Sequence, residues 1–115
     1  MDGRLHERKP VSFHVRVTEL ANAEISASGE AVDISESGIG VYLALQFTPG
    51  SVVRLNINDS VLYGFIAYSF PERSFFRTGI EVAQVLIGTS GLSKILKERL
   101  QEAMPNVQMT ESVAS

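Results

Sequence analysis

The sequence predicts an all-β domain with one C-terminal helix. Three observations support this fold class: short runs in which apolar residues alternate, turn residues at regular intervals between the runs, and a change to helical spacing after Gly91. Such spacing of short strands is typical of an antiparallel barrel or a sandwich. The length of 115 residues indicates one domain.

The first half of the chain contains three predicted strands. Residues 11–17 carry Val, Phe, Val and Val at alternate positions after Pro10, which predicts a half-buried strand. Residues 24–32 alternate less regularly and are predicted as a second strand. Residues 33–38 are rich in Asp, Ser and Gly and are predicted as a turn, after which residues 39–45 resume a strand.

The next segment contains a predicted hairpin and a last strand. Residues 48–50 (Thr-Pro-Gly) form a predicted turn. Residues 52–58 and 61–68 are apolar runs joined by a tight connection, which is typical of a hairpin. Residues 71–74 are a predicted turn, and residues 75–82 form the final predicted strand.

Helical spacing begins near Ser90. Six apolar residues recur at this spacing: Leu92, Ile95, Leu96, Leu100, Ala103 and Met104. Ser90 or Thr89 is the expected N-cap, and Pro105 ends the pattern. We predict a helix over 90–104 that covers an open side or end of the sheet, in preference to a partner-binding helix. The polar residues 105–115 are predicted to be a disordered tail.

Composition excludes several classes of protein. The net charge of −3 disfavours general nucleic-acid binding, and the absence of cysteine excludes disulfides and thiolate sites. The sequence shows neither a signal peptide nor a spanning apolar run, so we expect a cytoplasmic protein without membrane insertion. The two histidines, His6 and His14, do not combine with a nucleophile and an orienting group. We therefore predict no enzyme activity, no catalytic residue, no metal and no cofactor.

Two polar clusters carry recognisable binding chemistry. Arg4 and Arg8 lie four residues apart before the first strand, and Asp33, Ser35 and Gly38 follow the second. Arginine donates paired hydrogen bonds to a guanine edge or a phosphate and can stack on a purine. A carboxylate accepts from guanine N1–H and N2–H, and glycine permits a sharp turn or close approach of a ligand.

Each cluster also has a structural interpretation. The arginines are equally typical of solvated charges in a leader, and Asp33 with Ser35 is typical of an Asx or ST turn that closes on its own backbone. Gly38 would then take a left-handed conformation. From the residues alone both interpretations remain open.

The chain resembles the PilZ domain family from about Arg4 to Val82. The family motif R-x-x-x-R stands at residues 4–8, the motif D-x-S-x-x-G stands at residues 33–38, and residues 78–82 (Thr-Gly-Ile-Glu-Val) resemble the closing strand. The resemblance implies a six-stranded antiparallel PilZ-type β-barrel with a C-terminal helix. It also implies binding of cyclic di-GMP, a bacterial second messenger.

The resemblance implies a role for each motif residue. Arg4 and Arg8 would clamp the guanines and phosphates while their leader folds over the barrel, and Asp33, Ser35 and Gly38 would hold a guanine from the barrel side. The expected layout is one PilZ domain over 1–104, with a flexible arginine leader over 1–10, the barrel over 11–82 and the helix over 90–104.

The expected function is that of a single-domain receptor or adaptor for cyclic di-GMP. Ordering of the leader on the ligand would change contacts with an unidentified protein partner. The alternative is a PilZ-like interaction module that binds no nucleotide. A barrel for single-stranded nucleic acid ranks last, since Tyr42, Phe65 and Tyr68 lack basic neighbours on their strands. We expect neither DNA nor RNA as a partner.

Overall fold

The computed structural model describes residues 7–112, which form a closed barrel, one helix and one additional strand. The elements are β1 (Lys9–Glu19), β2 (Ser26–Ser35), β3 (Gly38–Leu43), β4 (Val52–Ile57), β5 (Ser60–Glu72), β6 (Phe75–Ile87), α1 (Gly91–Ala103) and β7 (Gln108–Glu111). The first six strands are antiparallel in the order β3-β2-β1-β4-β5-β6, and pairing of β3 with β6 closes the ring. The prediction of a six-stranded antiparallel barrel with a C-terminal helix is confirmed.

The alternation read from the sequence separates the interior of the barrel from its surface. Successive side chains of a strand point to opposite faces, so every second residue enters the core. Fully buried residues from several strands fill this interior, among them Val15, Val17, Leu55, Leu62, Ile66 and Ile80. The intervening positions lie on the outer surface, where they are available for binding.

Two β-bulges alter the direction of strands β2 and β5. One interrupts the β2–β3 pairing between Ala31 and Asp33, and another interrupts the β5–β6 pairing between Ile66 and Tyr68. A bulge inserts an unpaired residue, bends the strand and re-aims the side chains that follow it. Asp33 and Tyr68, the first paired residues after these bulges, lie at opposite edges of the same surface region.

The helix packs its apolar stripe on the barrel. Leu96 and Leu100 are fully buried in the core cluster, and Met104 is nearly so. Ser90 caps the helix, because its hydroxyl accepts a hydrogen bond of 3.1 Å from the amide of Ser93. The predicted C-terminal helix is confirmed, and of the two N-caps expected from the sequence, Ser90 or Thr89, the structure has Ser90.

A carboxylate from the β4–β5 hairpin holds the start of α1. Asp59 accepts hydrogen bonds from the amides of Thr89 (2.8 Å) and Ser90 (3.1 Å), and from the hydroxyls of Ser90 (2.7 Å) and Ser93 (2.6 Å). The hydrogen bonds from Ser93 and Ser90 keep the pKa of Asp59 well below its ordinary value. The hairpin and the helix are therefore joined by polar contacts as well as by the core.

The predicted turn over 33–38 and the predicted leader are partly wrong. Asp33 and Ser35 belong to β2, and the turn itself is confined to residues 36–37. At the leader, residues 9–10 belong to β1, where Pro10 pairs with Asp33. Turn-type residues were misleading here because pairing with β1 and β3 on either side extends β2 through them.

The disordered tail predicted over 105–115 is wrong for residues 105–112, and residues 113–115 lie outside the described residues. Strand β7 pairs in parallel with the end of β6, and the Ser112 amide donates to the Ile87 carbonyl at 2.8 Å. Lys97 of α1 also contacts Glu111 at 2.6 Å. This polar segment is ordered because β6 extends beyond its pairing with β3 and offers backbone groups for another strand.

Candidate functional site

A row of four aligned residues crosses the outer surface of four strands. The strand register aligns Asp33 of β2 with Gly40 of β3, Gly40 with Gly79 of β6, and Gly79 with Tyr68 of β5. The two middle positions have no side chains, so the carboxylate of Asp33 lies over Gly40 and the ring of Tyr68 lies over Gly79. The alignment is a consequence of barrel closure, which brings β3 against β6.

The two glycines are required by close contacts. A Cβ atom on Gly40 would lie 2.4 Å from Asp33 Oδ1 and 2.6 Å from Arg77 Nη2, and one on Gly79 would lie 2.3 Å from Tyr68 Cε2. These separations are shorter than van der Waals contact. The site's side chains therefore lie directly on the glycine backbone.

Two arginines share the carboxylate of Asp33. Arg8 donates from Nε (3.0 Å) and Nη2 (2.8 Å) to Oδ1, while Arg77 donates from Nη2 to Oδ2 at 2.7 Å. The side chain of Arg8 is 38% exposed, whereas those of Asp33 and Arg77 are 17% and 13% exposed. Arg8 is thus the solvent-facing partner of the carboxylate, and Arg77 is the enclosed one.

The paired charges favour the ionised form of each group. Burial raises the pKa of Asp33, but the hydrogen bonds and positive charges of Arg8 and Arg77 outweigh it and leave the pKa below its ordinary value. Burial lowers the pKa of Arg77, but Asp33, with smaller contributions from Tyr68, raises it above its ordinary value. The site therefore holds a carboxylate between two guanidinium groups at neutral pH.

Arg77 is supported by aromatic and acidic neighbours. Its guanidinium carbon lies 5.4 Å from the centre of the Tyr42 ring, a cation–π distance. The Tyr42 hydroxyl donates in turn to Glu72 at the end of β5. Contacts therefore run from Asp33 through Arg77 to the β5–β6 hairpin.

A small pocket with a cavity volume of about 90 Å³ opens beside this ion pair. Its lining includes Arg8, Ser37, Gly38, Tyr68, Gly79 and Glu81. The volume is well below the roughly 300–1,000 Å³ found for small-molecule sites. The pocket can therefore enclose only part of a ligand.

Ser35 and Gly38 support the turn beside the pocket. Ser35 is 1% exposed, and its hydroxyl lies 2.9 Å from the Ser37 hydroxyl and accepts from the Ser37 amide at 3.2 Å. This is the ST turn considered from the sequence. Gly38 has φ = +146°, and a Cβ there would lie 2.1 Å from the Ile80 carbonyl oxygen, so glycine permits the approach of β3 to β6.

The predicted site residues are distributed unequally. Arg8 and Gly38 line the pocket, and Asp33 contacts Arg8 at the edge of the pocket. The hydroxyl of Ser35 points into the turn, and Ser37 lines the pocket in its place. Arg4 lies outside the described residues. The Asx-turn interpretation does not fit Asp33, whose carboxylate oxygens bond to the two arginines.

The sequence interpretation did not include Arg77, Tyr68 or Gly79 in the site. Residues 78–82 were interpreted only as a closing strand, and Tyr68 only as a strand aromatic. The period-two pattern could have placed Arg77 on the outer face of its strand. Its proximity to Asp33 depends on the β3–β6 pairing, which no local pattern reports.

The family comparison agrees with this geometry. The family model described as PilZ domain matches residues 2–85. This range includes the R-x-x-x-R motif, the D-x-S-x-x-G motif and most of the barrel. The chain belongs to the PilZ domain family. Among curated proteins, no sequence matches the chain.

Membership of the PilZ family indicates the general role of the domain. PilZ domains are binding and adaptor modules rather than enzymes, and the family role is binding of cyclic di-GMP. Within residues 7–112, the structure contains no helix long and apolar enough to cross a membrane.

Proposed function

We propose that this PilZ domain is a receptor for cyclic di-GMP that binds the dinucleotide over Arg8, Asp33 and the adjoining pocket. The observation that carries the proposal is the contact between Arg8 and Asp33. It joins the arginine motif to the D-x-S-x-x-G motif across 25 positions of sequence, beside a small pocket that Arg8 lines. In the proposal, Arg4 adds a second guanidinium from the leader.

The chemistry of these groups matches the two parts of the ligand. Arginine donates in parallel to guanine O6 and N7 or to two phosphate oxygens, and the Asp33 carboxylate accepts from guanine N1–H and N2–H. The two phosphate charges of the ligand are attracted to a local cluster of arginines on a chain of net charge −3. The combination favours guanine over adenine, which lacks the N1–H and N2–H donors.

The pocket would receive the edge of one base of the dinucleotide. Tyr68 offers an aromatic surface there, and its ring lies directly over the backbone of Gly79, where no Cβ atom displaces it. The remaining base and the phosphates would lie outside the pocket against Arg8 and the leader. Ser35 would act through the turn it closes, and Gly38 through both the pocket wall and the turn.

In the proposal, binding moves Arg8. The edge of its guanidinium that carries Nε and Nη2 faces Asp33, so this edge can pair with a phosphate or guanine only when that contact opens. Movement of Arg8 would reposition the chain before β1 and alter the surface presented to a protein partner. This coupling would make the domain an adaptor in cyclic di-GMP signalling.

Isothermal titration calorimetry with cyclic di-GMP tests the proposal. We expect saturable heat at micromolar protein, with a stoichiometry that distinguishes one bound dinucleotide from two. Cyclic di-AMP is the matched control ligand, because it keeps both phosphates but lacks the guanine donors, and it should bind much more weakly. No saturable heat with cyclic di-GMP would contradict the proposal and favour an interaction module that binds no nucleotide.

A further inference from the structure

We propose that Arg77 is a positioning residue that keeps Asp33 oriented and charge-compensated, so that Arg8 can transfer from Asp33 to the ligand. The inference rests on the proposed binding of cyclic di-GMP and extends it to a residue outside both sequence motifs. It assigns different roles to the two arginines that share one carboxylate.

The two arginines are held in different ways. Arg77 lies within β6, whose neighbouring residues Thr78 and Gly79 pair with β3 on one side and β5 on the other. Arg8 precedes β1 and has about three times the exposed fraction of Arg77, 38% against 13%. The backbone of Arg77 is therefore fixed by two strand neighbours, whereas Arg8 is the partner that can move.

The guanidinium of Arg77 is also confined by its surroundings. Its Nη2 atom lies so close to Gly40 that a Cβ atom there would approach it to 2.6 Å, and the group lies over the Tyr42 ring at 5.4 Å. Tyr42 is held by its hydrogen bond to Glu72. Arg77 therefore has little room to leave Asp33.

The division of bonds on Asp33 permits an exchange. Both Arg8 bonds end on Oδ1, and the Arg77 bond ends on Oδ2. When Arg8 leaves, Oδ1 becomes free to accept from guanine N1–H and N2–H, while Oδ2 keeps its charged partner. Without Arg77, the same departure would leave a mostly buried carboxylate without a cation, which is strongly unfavourable.

Calorimetry with two substitutions of Arg77 tests this role. Arg77→Met removes the charge but keeps a side chain of similar length, and it should weaken cyclic di-GMP binding at least tenfold. Arg77→Lys keeps a charge beside Asp33 and should weaken binding less. Arg54→Met, on β4, is the matched control, since Arg54 bonds to Asn56 rather than to Asp33. Unchanged affinity in Arg77→Met would overturn the inference.

A double-mutant cycle with Asp33→Asn separates positioning from direct contact. A neutral side chain at position 33 needs no compensating cation, so Arg77→Met should change affinity less than twofold in that background. If Arg77→Met costs the same factor in both backgrounds, Arg77 acts on the ligand directly or through the fold, and the positioning role is wrong.

An NMR titration of the protein without ligand gives an independent readout. Arg77→Met should raise the pKa of the Asp33 carboxyl, and it should slow exchange of the Arg8 Nε proton, because Asp33 would then hold Arg8 alone. An unchanged Asp33 pKa would overturn the inference even if Arg77→Met weakens binding. If the wild type shows no heat with cyclic di-GMP, the proposed function fails, whereas this titration still decides whether Arg77 anchors Asp33.

Discussion

Arg8 and Asp33 are joined by two hydrogen bonds, of 3.0 and 2.8 Å, that both end on the same carboxylate oxygen. The contact follows from the register of the first two strands, in which Pro10 pairs with Asp33 and Arg8 lies two residues before Pro10. One residue of each family motif therefore meets the other here, although 25 positions separate them in sequence.

Arg8→Ala should weaken cyclic di-GMP binding by about 1.5–3 kcal/mol, the usual contribution of a hydrogen bond to a charged group. Calorimetry measures the change. Arg16→Ala is the control, because Arg16 lies further along β1 and donates to the Ser26 hydroxyl instead. If Arg8→Ala binds as tightly as the wild type, the assignment of Arg8 is wrong even where binding itself is real.

Asp33→Asn should lower the free energy of unfolding by roughly 1–2 kcal/mol at pH 7, because the variant loses the charge-assisted bonds of a partly exposed carboxylate. The pKa of Asp33 is depressed in the folded state, so its stabilisation is present above the ordinary value of 3.8 and is lost as pH falls through the lower folded value. Urea unfolding at pH 7, 5 and 3 measures this.

The difference between wild type and Asp33→Asn should be equal at pH 7 and pH 5 and smaller at pH 3. Glu24→Gln, at an exposed position before β2, is the control and should change little at any of these pH values. A difference that is independent of pH down to 3 would show that the bonds of the ionised carboxylate are not its source.

Gly40→Ala should weaken cyclic di-GMP binding about tenfold or more. The new methyl group would lie 2.4 Å from Asp33 Oδ1 and 2.6 Å from Arg77 Nη2, so the ion pair must move. Gly91→Ala is the control, because a Cβ there meets nothing within 4 Å. Calorimetry with a thermal melt of each variant distinguishes a displaced site from an unfolded barrel; wild-type affinity in Gly40→Ala would argue against this geometry.

Asp59→Asn should lower the Tm at pH 7 and loosen the start of α1. The four hydrogen bonds that Asp59 accepts from residues 89–93 keep its pKa low, so its stabilisation is present above the ordinary value of 3.8 and is lost at lower pH. Circular dichroism and hydrogen exchange of the Thr89 and Ser90 amides measure the effect. Glu98→Gln, at an exposed helix position, is the control. Unchanged amide exchange in Asp59→Asn would refute the role of Asp59 in holding the start of α1.

The sequence by itself determined the strands of the barrel and the helix, and it pointed to two residues of the candidate site. Alternating apolar residues predict strands because only one face of a barrel strand is buried, and helical spacing predicts α1 because one stripe of a helix meets the core. Arg8 and Asp33 were predicted as site residues from the resemblance to two family motifs, since both residues belong to short contiguous patterns. These predictions depend on residues close together in the chain.

Only the tertiary structure decided which side chains meet. Arg77 reaches Asp33 because β3 pairs with β6, and Tyr68 lies over Gly79 in the same row because a bulge shifts the register of β5. The ordering of residues 108–111 likewise depends on the free part of the β6 edge. The physical reason is common to all three: they follow from long-range strand pairing and barrel closure, whereas local patterns of polarity report only which face of each strand is buried.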